Sequence, residues 1–173
     1  MLGEALTKGK LDLAFMRAEP GMPDLTYQLV AEESLDAVLP SDHRLAALDE
    51  VDPRELVGET FITGSTTAPT LRAVINEFIS QSRLDIHPSH EVDNLAMAMS
   101  LVASTRGVAL LPAYAKNFLP WSVISRPLTG HSPKIDLVIA YSTANTSPTL
   151  KLFLSRIDDL LSRCRTRPAG SPE

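Results

Sequence analysis

Hydroxyl groups are the chemistry that this chain concentrates in one place. Thr63, Ser65, Thr66, Thr67 and Thr70 all fall within FITGSTTAPTL, residues 61–71, where an apolar beginning passes through Gly64 into a strongly patterned helix. A helix start leaves about four backbone N–H groups unpaired, and the helix dipole favours an anion there. Neutral hydroxyl donors at such a start suit the binding of a carboxylate. The same residues also suit a plain capping loop, with Thr66 or Thr67 as N-cap and Pro69 in the first turn, where its missing N–H costs nothing. Both readings stand on local sequence. Arg17 is a second candidate, just past the strand LDLAFM. Open α/β sheets bind ligands at that end of a strand, and a guanidinium there can pair a carboxylate in bidentate fashion. A surface arginine beside Glu19 is the alternative.

Other chemistries find less support. Of the histidines, His43, His87, His90 and His131, only His87 and His90 are close in sequence. Pro88 between them, at a strand start, keeps them from sharing a metal, and no Cys or carboxylate cluster completes a site. No GxGxxG, GxxxxGK[ST] or GxSxG occurs, so neither a nucleotide loop nor a nucleophile elbow is expected. The carboxylates Asp12, Glu32, Glu33, Asp36, Glu91 and Asp93 are scattered and read mostly as solvated or capping groups. Catalysis, a metal and a cofactor are therefore not expected.

A chain of 173 residues with 44% hydrophobic and 21% charged content has the make-up of a globular protein with a real core. A net charge of −5 argues against a free-standing nucleic-acid binder, which normally carries a basic face. The single cysteine, Cys164, cannot form an internal disulfide. No apolar run is long enough for a membrane span, and MLGEALTKGKLD lacks the order of a signal peptide. The cytoplasm is the expected compartment.

The positioning elements follow from periodicity. Gly3 to Lys8 reads as the end of a helix with Gly9 as its cap, and Leu11 to Met16 as a short strand. Leu25 to Val30 and Leu35 to Leu39 read as two strands, with short helices at 42–45 and 53–56. Behind Phe61-Ile62, the residues Leu71, Val74, Ile75, Phe78 and Ile79 form the stripe of an amphipathic helix. Ile86 to Val92 reads as a strand. Asn94 to Thr105 is apolar nearly all round and reads as a buried helix. Gly107 to Leu111, Ser122 to Ser125 and Ile135 to Tyr141 are further strands, and a last helix begins at Ser147-Pro148. Strands alternate with helices, and GVALL and LVIAY are apolar without alternation. That pattern predicts the α/β class, with a mostly parallel sheet covered on both faces.

Several phrases together resemble one family. GKLDLAFMR, LPSDHRLA, ETFITGSTTAPTLRAVINEF and HEVDNLAMAMSLVASTRGVALLP stand in the order seen in the effector-binding part of LysR-type transcriptional regulators. The pairs Asp42-His43 with Leu45-Ala46, and the run Gly107 to Pro112, are the most specific, and the resemblance covers about residues 2–163. DLAFMR and VISRPLTG further resemble the subgroup that answers to aromatic acids such as phenylpropionate or cinnamate. The resemblance implies a type 2 periplasmic-binding-protein-like fold, two α/β lobes joined by two crossover strands, with a small organic acid in the cleft between them. It places a partial first lobe at residues 1–40 and 141–163, a second lobe at 41–140, and a disordered tail at 164–173. It also implies that the helix start around Thr66 to Thr70 faces the effector, opposite Phe15 to Arg17. The candidate ligand-binding residues are thus Phe15, Arg17, Thr63, Ser65, Thr66, Thr67 and Thr70.

The family's winged helix-turn-helix, its linker helix and the opening elements of lobe one find no counterpart here. An N-terminally truncated member is therefore expected, its first lobe incomplete and less stable than its second. The implied function is effector sensing and oligomerisation, as a dimer or tetramer in the complete regulator, with DNA reached only through the absent N-terminal part and no membrane involved. This type of fold also carries two other functions. A prephenate-dehydratase-like enzyme has Thr105-Arg106 in its favour, but Gly107 stands where that signature has phenylalanine. A solute-binding protein would need a signal peptide or lipid anchor.

Overall fold

The computed structural model of the protein describes residues 2–19 and 21–165. The chain divides into two compact units, residues 1–31 with 137–173, and residues 32–136.

In the first unit, α1 (Leu2–Thr7) ends at Gly9, whose φ of +66° is open to glycine at little cost. It leads to β1 (Ala14–Met16), shorter than the expected Leu11 to Met16. β1 pairs antiparallel with β7 (Lys134–Ser142), matching Ala14 to Ala140 and Met16 to Val138. Leu6, Ala14, Met16, Leu25, Val138 and Ala140 form the unit's small core. The last helix, α4 (Pro148–Arg165), starts at Pro148 as expected, with the Lys151 N–H donating to the Ser147 carbonyl. It continues through Cys164 and Arg165, which corrects the start of the expected tail; residues 166–173 lie outside those described.

The second unit is an αβα sandwich. Its sheet runs β6 (Val123–Arg126), β2 (Leu25–Pro40), β5 (Val108–Pro112), β3 (Phe61–Gly64), β4 (Pro88–Val92). β3 is parallel to both β4 and β5, whereas β2 is antiparallel to β5 and β6. The sheet is therefore mixed rather than mostly parallel. The two strands expected at 25–39 are one sixteen-residue strand. Its middle, Ala31 to Ser34, is polar because it is not enclosed, which interrupts the apolar pattern without interrupting the strand.

Alternation divides the core. Leu35, Ala37, Leu39, Phe61, Val108 and Leu110 face α2 (Pro69–Gln81), where Ile75 and Phe78 are buried. Val38, Ile62, Ala109 and Leu111 face α3 (Leu95–Thr105), where Ala98, Met99 and Val102 are buried. Helices on both faces explain why GVALL is apolar at every position. α3 is less enclosed than expected: Met97 is 45% exposed. The Asn94 side chain caps it by accepting the Met97 N–H at 3.0 Å. The edge strand β4 carries Pro88 and a register shift against Phe61-Ile62, features that discourage pairing with another edge.

Candidate functional site

The carboxyl ends of the three parallel strands converge on one concavity of about 90 Å³. Ile62, Thr63 and Gly64 of β3, Val92 of β4, and Leu110 and Leu111 of β5 form its floor. Ala68 and Leu71 line it from the α2 side, and Asn94, Leu95 and Ala98 from the α3 side. Ligands of open α/β sheets bind outside such strand ends. The volume is below the roughly 150 Å³ of a cavity that holds benzene. The concavity is therefore too small to enclose a whole ring.

Thr63 carries the main polar signal within it. The residue is 3% exposed, and its Oγ1 has no hydrogen-bond partner among the described residues. Leaving a buried hydroxyl unpaired costs about 1–3 kcal/mol, and folded proteins keep few such groups.

Ser65 and Thr67 are committed elsewhere. Both hydroxyls donate to Asp93 Oδ1, at 2.5 and 2.9 Å, and the Thr67 N–H donates to Ser65 Oγ at 3.1 Å. A hydroxyl has one proton, so in this arrangement neither has a donor left for an incoming anion. The two bonds hold the Asp93 carboxyl below the usual carboxylate range. They also correct the expected cap. The N-cap of α2 is Ala68, with no side-chain hydrogen bond, and Pro69 follows in the first turn as expected. The Ser65 N–H donates to the Val92 carbonyl at 2.8 Å, which ties the ends of β3 and β4 together beneath this cluster. A turn into α2, Arg72 approaches Glu91 to 2.9 Å without an aligned hydrogen bond.

Of the residues expected at a site, Thr63 lines the concavity, and Ser65 directly follows its lining residue Gly64. Thr67 joins Ser65 on Asp93, Thr66 is exposed, and Thr70 is half-buried in the first turn of α2. Phe15, 49% exposed in β1, and Arg17, half-buried just after it, belong to the first unit. Sequence reasoning missed Asn94, Leu95 and Ala98 as lining, although their place after a strand end was a usable signal. It also read Asp93 as one of several scattered carboxylates.

The most distinctive motifs hold the unit together. Asp42 accepts from Arg106 Nη1 at 2.8 Å, and this bond holds its carboxyl below the usual range. Arg106 ends α3 in the left-handed region at φ 58°, and Thr105 Oγ1 donates to the Leu101 carbonyl at 2.7 Å. The Thr-Arg pair thus serves a helix end. A Cβ on Gly107 would lie 2.6 Å from the Thr60 carbonyl oxygen, so only glycine fits there without a shift. His43 Nδ1 accepts the Leu45 N–H at 3.2 Å while Nε2 faces Glu59 at 3.3 Å, and Arg44 bonds Glu55 and Glu59. Among the described residues, no group of three or more His, Cys, Asp or Glu could hold a metal ion. No helix among them is long and apolar enough to cross a membrane.

An apolar recess outside the carboxyl ends of parallel strands is where open α/β sheets bind small molecules. Residues 1–162 match the LysR substrate binding domain, and the chain belongs to that family. The Hca operon transcriptional activator HcaR of Escherichia coli is 29% identical over 160 residues, covering 92% of this chain and 54% of the relative. The regulator CatR of Pseudomonas putida is 30% identical over 175 residues, covering 98% of this chain and 55% of the relative. The chain thus spans about half the length of these relatives, which are transcriptional regulators. Two solved structures bear on the fold. The BenM effector binding domain with benzoate superposes with a TM-score of 0.81 at 22% identity, covering 99% of this chain and 79% of that one. The effector binding domain of QuiR with shikimate gives 0.82 at 19% identity, covering 94% and 77%. The fold is accordingly the type 2 periplasmic-binding-protein-like α/β fold of these effector domains.

Proposed function

We propose that this chain is the effector-sensing module of a LysR-type transcriptional regulator and that it binds a small, aromatic carboxylic acid. The observation that carries this reading is the apolar concavity at the ends of β3, β4 and β5, which Thr63, its hydroxyl buried and unpartnered among the described residues, helps to line. An aromatic ring edge suits the apolar walls, and a polar atom at that edge suits Thr63. Benzoate and shikimate, bound by the related domains of BenM and QuiR, are both small cyclic carboxylic acids. In the complete regulator the module acts in the cytoplasm, within a homo-oligomer that is a dimer or tetramer. DNA contact falls outside the effector-binding module, consistent with the acidic balance of these residues. An effector works by binding one conformation better than another, and shifts the equilibrium only by that difference in affinity.

Thermal melts with phenylpropionate, benzoate and shikimate test this. The melting temperature is expected to rise with at least one acid, since ligand at a hundredfold over Kd adds about 2.7 kcal/mol of stability. Melting temperatures unchanged at millimolar levels of all three exclude the proposal.

A further inference from the structure

We propose that the second unit holds a further binding site, for an α-amino acid with an apolar side chain, in a cavity distinct from the strand-end concavity. Asp36 and Val38 share one face of β2, as alternate residues of a strand do. Val38 is core there, clustered with Ala115 and Val123, so the face calls for apolar residues. Asp36 breaks that pattern. It is 8% exposed, and among the described residues its carboxylate receives one hydrogen bond, from Ser125 Oγ at 2.9 Å, and no ion pair. Aspartate is rarely buried this far without a cationic partner, because removing a carboxylate from water is costly. Such local departures from pattern concentrate at functional positions.

The cavity beside Asp36 has room for the partner. It measures about 670 Å³ and is lined from β2, β6 and the 3-10 helix Ala113–Phe118. Small-molecule sites span about 300–1,000 Å³. No residue lines both this cavity and the strand-end concavity. Lys116 stands in the same lining as Asp36, and the two form no ion pair. A carboxylate and an ammonium that do not meet fit a ligand carrying both opposite charges, the head group of an α-amino acid. A simple cation would face Lys116, and a simple anion would leave Asp36 unpaired. Leu119 and Ile124 add an apolar wall for the ligand's side chain. Trp121 joins them with its indole 93% exposed, and an indole face attracts an ammonium.

Trp121 is the single tryptophan of the chain, so its fluorescence reports on this cavity. Residues 1–173 are titrated with L-leucine and L-phenylalanine, and with 3-methylbutylamine and 4-methylpentanoate, which each keep one charged end of leucine. A saturable change is expected with at least one amino acid, and if it is leucine, each half-ligand should bind at least about tenfold more weakly, the scale of one hydrogen bond to a charged group. For phenylalanine the half-ligands are phenethylamine and 3-phenylpropionate, with the same expectation. Asp36→Asn, near-isosteric, and Lys116→Ala, on the surface, should each weaken the amino acid by about tenfold. If Asp36→Asn does not fold, Lys116→Ala and the half-ligands decide. No saturable change with either amino acid at millimolar levels overturns the site. So does unchanged affinity in a folded variant, or a half-ligand that binds as tightly as its amino acid. None of these results touches the effector reading, whose concavity lies elsewhere in the unit.

Discussion

Ser65 and Asp93 stand 28 residues apart in the chain, and their hydrogen bond joins the loop before α2 to the loop before α3. The local sequence displayed the hydroxyls but not their partner, because a side-chain bond across two parallel strand ends leaves no trace in periodicity. The cap at Thr66 or Thr67 failed for the same reason: the Ser65 and Thr67 hydroxyls that could serve α2 turn to a carboxylate instead. Thr63 was legible as a candidate, yet only the fold separates its buried hydroxyl from four more accessible neighbours. The Asp93 cluster has a consequence for acid stability. Its folded-state pKa is depressed by Ser65 and Thr67, so its contribution is fully present above the ordinary aspartate value of about 3.9 and is lost as pH falls through the depressed value. The melting temperature of wild type should therefore exceed that of Asp93→Asn by a constant margin from neutral pH down to about pH 5, and the margin should close below about pH 4. A margin that stays level to pH 3, or is absent at neutral pH, contradicts the bonds assigned to Asp93.

Elements were more readable than their partners. The stripe through Leu71, Ile75 and Phe78, the helix beginning at Asn94 and the unbroken apolar run at Val108 to Leu111 each fix a local geometry, and each is found. Strand direction was not readable, since β2 meets β5 antiparallel through pairings more than seventy residues apart. Gly107 shows where a motif has a packing cause: the close Thr60 carbonyl leaves no space for a Cβ, which lets β5 approach β3. The two units also differ in how their strands are held. β5 lies between β2 and β3 with clusters of buried residues on both faces, whereas β1 has three residues and a small core around it. Local opening follows buried contacts and ladder length. Hydrogen exchange is expected to be slower at Val108 to Leu111 than at Ala14 to Met16; equal protection of the two segments counts against an unevenly stable chain.

At the scale of the whole molecule, ligand binding and folding are linked, and the proposed function makes Thr63 the residue that joins them. If the Thr63 hydroxyl is kept for an effector, the free protein carries an unpaired buried group that the liganded protein does not. Thr63→Val removes the hydroxyl at nearly constant shape. It should stabilise the free protein by about 1 kcal/mol, which for a chain of this size is about 2–4 °C in melting temperature. The same change should shrink the shift produced by the effector acid, since the partner for its polar edge is gone. Paired melts of wild type and Thr63→Val, without and with saturating phenylpropionate or whichever of the acids binds, test the central claim most directly. A more stable free variant with a smaller ligand shift is the predicted result. A less stable free variant that keeps the full ligand shift would contradict the placement of the effector on this floor.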